Sequence, residues 1–384
     1  MAAAPHVVIL TSSGLGHVLP VSELAKRLAV HHSFTVTIVT YASLSTPGHS
    51  SRLASLPPGV SVAALPEVSI DDLPADAHLV TRILTVISRA MPQLRDLLRS
   101  LLDSPAGITA FVTDLLCPAA LAIGKEMGLP GYVFYTSSLM SLLSFLYIPE
   151  LARTTTCECR DLPEPVLPSG CVPLHGADLL EPLRTAPTPS GRLGHVRVLR
   201  QRWHAVHGVH HPNDKDSSAA YLGTAATDAD PLSYLPDGFV ERMNGTGLLV
   251  PLWAPQVEIL NHVAVGGFMS HGGWNSTLET GVPMVAWPLY AEQRMNAVML
   301  SSDRVGLALW ERPPLDKDRA VVPREEVAAL VRELMEGEKG AAARKKAGHL
   351  QDEAEIASAL GGPQDRALAV VAGMVSLHRK RHGE

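Results

Sequence analysis

Two short runs of this sequence have the residue types and spacing for chemistry at the edge of a sheet. Gly14-Leu15-Gly16-His17 lies between a strand-like stretch, His6-Val7-Val8-Ile9-Leu10-Thr11, and a helix-like one. That is where a Rossmann dinucleotide loop would sit. The third glycine of that fingerprint is absent, and the second strand ends in Thr40-Tyr41, without the acid that would hold a ribose. Hydride chemistry is therefore disfavoured. What remains is a histidine at the carboxyl end of a strand, the side on which open α/β sheets bind ligands. Val112-Thr113-Asp114 closes another strand. Its carboxylate has two readings. It can accept a hydrogen bond from one ring nitrogen of His17, freeing the other to take a proton. It can equally cap the helix after Pro118.

A third constellation runs from Trp253 to Gln293, WAPQVEILNHVAVGGFMSHGGWNSTLETGVPMVAWPLYAEQ. Within it, Ser270-His271-Gly272-Gly273-Trp274-Asn275-Ser276 follows a strand and opens a helix. The glycines let backbone approach a ligand closely. A helix start offers unpaired N–H groups and a positive dipole end, which suit a diphosphate. Ser276-x-x-Glu279 also matches a capping box, so capping its own helix is an alternative role for Glu279.

The elements that must position these residues alternate between strand and helix. Strands are expected at 6–11, 34–40, 59–65, 108–112 and 132–135, with helices over 18–30 and, as one long amphipathic element, 78–102. Alternation of this kind implies a parallel sheet with helices on both faces. From about Pro149 to Pro189 the chain is rich in Pro, Gly and Thr. A second α/β series follows, with strands at 247–252, 265–269 and 283–287, helices near 292–300 and 324–335, and a charged helical end from Ala341 to Arg381.

With 384 residues the chain is long enough for two domains. A net charge of -6 gives no electrostatic case for binding nucleic acid or an anionic membrane. No apolar run approaches the ~20 residues of a membrane span, and the start of the chain lacks the basic and apolar regions of a signal peptide. Cys157, Cys159 and Cys171 lack a fourth ligand at metal-site spacing and read as reduced thiols in a surface loop. His204, His207, His210 and His211 read as a solvated loop rather than a metal cluster. No pair of carboxyls is placed for glycoside hydrolysis. A cytoplasmic, metal-free monomer is the expectation.

The 253–293 stretch resembles the signature box of the plant secondary-product UDP-glycosyltransferases, and is long and nearly complete. Asp161-Leu162-Pro163-Glu164-Pro165, Cys171-Val172-Pro173-Leu174-His175-Gly176 and Pro212-Asn213-Asp214-Lys215-Asp216 extend the likeness to the hydroquinone glucosyltransferase branch. It covers about 1–185 and 212–380. The resemblance implies a GT-B fold: two facing Rossmann-like domains, here 1–185 for the acceptor and 212–365 for the donor. Residues 366–384 would form a helix returning to the first domain. It implies that Trp253 stacks on uracil, that Ala254 binds it through backbone, and that Gln256 and Glu279 hold the ribose. His271, Asn275 and Ser276 would hold the phosphates, Gly273 would belong to the same donor site, and Trp274, Glu292 and Gln293 would face the sugar. His17 would be the general base and Asp114 its orienting partner, in an inverting transfer of glucose from UDP-glucose to a small phenolic hydroxyl without a cofactor.

The sequence departs from that family in three places. Gly272 stands where a Cys is usual, and a few residues between Glu279 and Gly281 are absent. Residues 186–211, GRLGHVRVLRQRWHAVHGVHH in their larger part, match nothing in the family. They replace the end of the first domain, the linker, and the first strand and glycine–serine loop of the donor domain. The expectation is an out-of-frame or mis-spliced junction. The competing reading of the chain is accordingly an impaired relative that at most binds UDP.

Overall fold

The structure, a computed structural model, describes residues 4–12, 14–45, 53–74, 77, 79–155, 157–179, 237–243, 245, 247–248, 254–312 and 322–382. The junction at 186–211, its histidines, Pro212–Asp216, Trp253 and most of the strand expected at 247–252 lie outside the described residues.

The first unit is a five-stranded parallel sheet in the order β3-β2-β1-β4-β5. Its strands are β1 His6–Leu10, β2 Thr35–Tyr41, β3 Val60–Leu65, β4 Ala110–Asp114 and β5 Gly131–Phe134. Its helices are α1 Leu15–His32, α2 Leu79–Arg89, α3 Met91–Leu102, α4 Leu121–Glu126 and α5 Leu139–Thr154. Strand side chains alternate between faces. Val7, Ile9, Val36, Ile38, Ala110 and Val112 pack into one apolar cluster with Val21, Ala25 and Leu28 of α1. Val8, Leu10, Val39 and Phe111 pack into another with α2, α3 and α4. Both faces are covered, which is why these strands read as nearly unbroken apolar runs.

The helix expected over 78–102 is broken. Ala90, at φ -83° and ψ 0°, separates α2 from α3. Pro92 lacks an N–H and its ring collides with the carbonyl four residues back, so it fits only the first turn of a new helix. The thiols differ from expectation too: Cys159 and Cys171 are buried in an apolar cluster with Leu174, Leu151 and Met295, in the core rather than on a surface loop.

The second unit carries α6 Gln256–Leu260, β6 Phe268–Ser270, α7 Trp274–Leu278, β7 Met284–Ala286, α8 Gln293–Ser301 and β8 Ala308–Leu309. The three strands are parallel, in the order β6-β7-β8. Three long helices follow: α9 Arg324–Glu336, α10 Glu338–Ser358 and α11 Pro363–His382. Among the described residues no helix is long and apolar enough to cross a membrane.

Apart from the contacts at the candidate site, the units pack together through α5, α11 and a buried ion cluster. Met295, Val298 and Met299 of α8 pack on Met140, Leu143 and Leu151 of α5. Ala372 and Val375 of α11 enter the cluster formed by α1 and the first sheet, with His32 3.6 Å from Asp365. Asp178, fully buried, is paired with Arg294 at 3.6 Å and with Arg312. Gly176 makes that last contact possible. It lies so close to the Cys159 carbonyl that a β-carbon would overlap it, so only glycine lets the 176–178 turn settle there.

Candidate active site

β1 and β4 are neighbours, and the chain leaves them in opposite directions across the sheet. The crevice outside their carboxyl ends is the topological switch point at which such sheets bind ligands. Gly14 turns the chain from β1 into α1 at φ 95°, a left-handed conformation that disfavours any side chain. His17 follows in the first turn of α1. Asp114 is the last residue of β4. The two expected partners meet: His17 Nδ1 is 3.1 Å from Asp114 Oδ2.

Of the two readings of Asp114 left open by the sequence, the pairing with His17 forms and the capping of the helix after Pro118 does not. Oδ1 accepts from the Leu116 N–H at 3.0 Å, a local turn. The helix after Pro118 is not what it caps, because that element begins from Cys117. Oδ2 faces His17 and also accepts from the Ser12 N–H at 2.6 Å and the Ser12 hydroxyl at 2.5 Å. Burial pushes the Asp114 carboxyl up, but the hydrogen bond and charge of His17 with the two Ser12 donors outweigh it, and its pKa is lowered. With Asp114 occupying Nδ1, Nε2 is the nitrogen left to accept a proton.

The depressed value has a consequence for stability. A group whose folded pKa lies below its unfolded value of 3.8 stabilises the fold above that value, and the contribution is lost as pH falls through the folded pKa. Asp114→Asn should therefore unfold at lower urea than the wild type at neutral pH. The gap should narrow once pH falls below about 3.8. A gap that stays constant into acid would show that the carboxylate's charge is not what stabilises.

The His17 turn touches the second unit. Asn275 Nδ2 donates to the Gly16 carbonyl at 2.9 Å. That carbonyl is available because the residue four positions on is Pro20, which has no N–H to close the helical bond. Thr136 Oγ1, beyond β5, lies 3.4 Å from His17 Nδ1. The Gly-Gly-Trp-Asn loop thus sits directly against the turn that carries the histidine.

The remaining predicted residues line this edge of the second unit. His271 follows β6. Burial pushes its imidazole down, against the opposing charge of Glu292, which favours the neutral ring. Gly273 is the N-cap of α7, and Trp274, Asn275 and Ser276 form its first turn. At five residues α7 is too short for a large macrodipole, so its unpaired first N–H groups are what it offers an anion. The capping box does not form. The helix starts from Gly273, not Ser276, and Glu279 stands at its far end. Instead Glu279 Oε2 accepts from Gln256 Nε2 at 2.7 Å, so the two residues expected at a ribose adjoin. Ala254 leads into α6. Glu292 accepts from the Ser137 hydroxyl at 2.8 Å. Gln293 is buried, and its Oε1 accepts from the N–H groups of Leu289 and Tyr290 at 2.8 and 3.0 Å, bracing the loop before α8.

Ser12, Ser137, Ser138 and Asn296 also belong to this edge and were not expected. A Thr-Ser-Ser run directly after a strand, on the ligand side of a parallel sheet, was the available signal. Asn296 lies three residues beyond Gln293, one helical turn away on the same face.

The profile of the UDP-glucoronosyl and UDP-glucosyl transferase family matches residues 239–313. Hydroquinone glucosyltransferase of Rauvolfia serpentina is 34% identical, across 97% of this chain and 98% of its own length. That alignment runs over 468 residues, more than the 384 here, so the relative has residues with no counterpart in this chain. Among solved structures, a UDP-glucosyltransferase from Polygonum tinctorium capable of glucosylating indoxyl, in complex with 3,4-dichloroaniline, superposes with a TM-score of 0.81. It is 32% identical, over 98% of this chain and 99% of that one. Phytolacca americana UGT2, complexed with UDP-2fluoro-glucose and pterostilbene, gives 0.80 at 32% identity, over 97% and 100%.

Proposed function

Because the chain belongs to the plant family 1 UDP-glycosyltransferases, with their GT-B fold, we propose that it transfers glucose from UDP-glucose to the hydroxyl of a small phenolic acceptor. The observation that carries this reading is the contact of the His17 turn with the Asn275 loop. It brings a paired histidine and a run of unpaired backbone donors to one crevice. That is what direct displacement at an anomeric carbon needs on its two sides.

In the proposed mechanism, His17 Nε2 takes the proton of the acceptor hydroxyl as its oxygen attacks the anomeric carbon. Asp114 stabilises the imidazolium that forms. The bond to the diphosphate breaks on the opposite face, so configuration inverts. The N–H groups opening α7 and the polar side chains of Asn275 and Ser276 stabilise the charge on the departing UDP. Gln256 and Glu279 hold the ribose, Trp253 and Ala254 the uracil, and Trp274, Glu292 and Gln293 the sugar. This chain's residues supply each role without a metal.

The greater length of the relatives supports a second reading, in which the chain binds UDP but transfers poorly. Incubating the purified protein with UDP-glucose and simple phenols, hydroquinone among them, separates the two. Mass spectrometry should find a product heavier by one hexose. Folded protein that binds UDP and yields no glucoside with any phenol would select the second reading.

A further inference from the structure

The loop after β5, Thr136-Ser137-Ser138, belongs to the first unit, yet two of its hydroxyls are committed to the second. We propose that Ser137 and Ser138 are positioning residues of the donor site, one for its sugar end and one for its diphosphate end. The inference rests on the reading of 271–293 as the UDP-glucose site.

The hydrogen inventory leaves no freedom at Ser138. The Gly272 carbonyl can only accept, so the amide nitrogen of Asn296 must face it, at 2.9 Å. The amide oxygen then points to Ser138, whose hydroxyl must donate, at 3.0 Å. Ser138 Oγ at the same time accepts from the Ser141 N–H at 3.2 Å and so caps α5. Ser138 and Asn296 are 1% and 0% exposed, so water does not substitute for either. The chain Ser138–Asn296–Gly272 therefore holds the backbone of the glycine loop, between His271 and the start of α7, from the opposite unit. The neighbouring Ser137 donates to Glu292, which immediately precedes Gln293 at the start of α8. Two adjacent serines thus grip both ends of the donor residues.

Capping and relay can be separated. Glycine is nearly as good as serine at an N-cap, so Ser138→Gly keeps α5 while removing the hydroxyl. It leaves the Asn296 oxygen buried without a donor. Calorimetry should then show UDP binding roughly tenfold weaker than wild type, with the acceptor KM unchanged. Ser138→Thr, which restores a hydroxyl, should recover most of the loss. Ser137→Ala should weaken UDP-glucose more than UDP, because Glu292 serves the sugar. Wild-type UDP affinity in Ser138→Gly, beside a wild-type protein that binds UDP, would overturn the relay and leave the donor-site reading standing. A wild-type chain that binds no UDP would overturn both.

Discussion

His17→Ala is expected to lower glucosyl transfer by ~10²–10⁴-fold, the range for loss of a positioned general base, while UDP binds as before. The separation follows from where the imidazole sits. Its Nδ1 is held by Asp114 at 3.1 Å. The link between the units near it runs through the Gly16 backbone carbonyl, which the substitution leaves in place. Asp114→Asn tests the same pair from the other side. An amide can still meet His17 but cannot offset the imidazolium charge, so transfer should fall while the fold at the sheet edge persists. Calorimetric titration with UDP and a product assay, run on the same preparation, read both quantities. Equal turnover by His17→Ala would remove the histidine from the chemistry, and loss of UDP binding would make its role structural.

The largest effect on stability is expected from Asp178→Asn. The carboxylate is fully buried, Arg294 is 11% exposed, and Arg312 is 32% exposed. Burial pushes the Arg312 guanidinium down, which marks a site where a lone positive charge is unwelcome. Removing one member of a buried ion cluster leaves the others uncompensated, at a cost of about 3–5 kcal/mol. The partial exposure of Arg312 places this case near the low end. Asparagine conserves the shape of the side chain, so the loss of charge is what the substitution tests. Urea unfolding should shift to clearly lower concentration. An unchanged midpoint would mean that the cluster's desolvation cost had already cancelled its attraction.

Much of the first unit was readable from the sequence because local patterns decided it. Buried parallel strands are continuous apolar runs, and the glycine turn at 14–16 marks the passage into α1. Both His17 and Asp114 could be placed at strand ends for that reason. Local pattern left their pairing as one of two readings, decided only by the family resemblance, because it depends on β1 lying beside β4, a matter of strand order that no local pattern encodes. The same limit hid Ser138, Asn296 and Asp178, whose partners are 158 residues away for Ser138 and in the other unit for Asp178. Two local readings failed for local reasons. Pro92 divided what periodicity joined, and the capping box at Ser276 lost to a helix that starts from Gly273.

The packing of α11 against α1 bears on how the protein is made. Ala372 and Val375 complete a cluster whose other members, Val7, Ile9, Val21 and Val112, leave the ribosome far earlier. At ~5–20 residues per second, the interval is on the order of tens of seconds. For that time one face of the first sheet is short of part of its apolar cover, and nascent chains held near one another can meet through it. A slower-translating host prolongs this window.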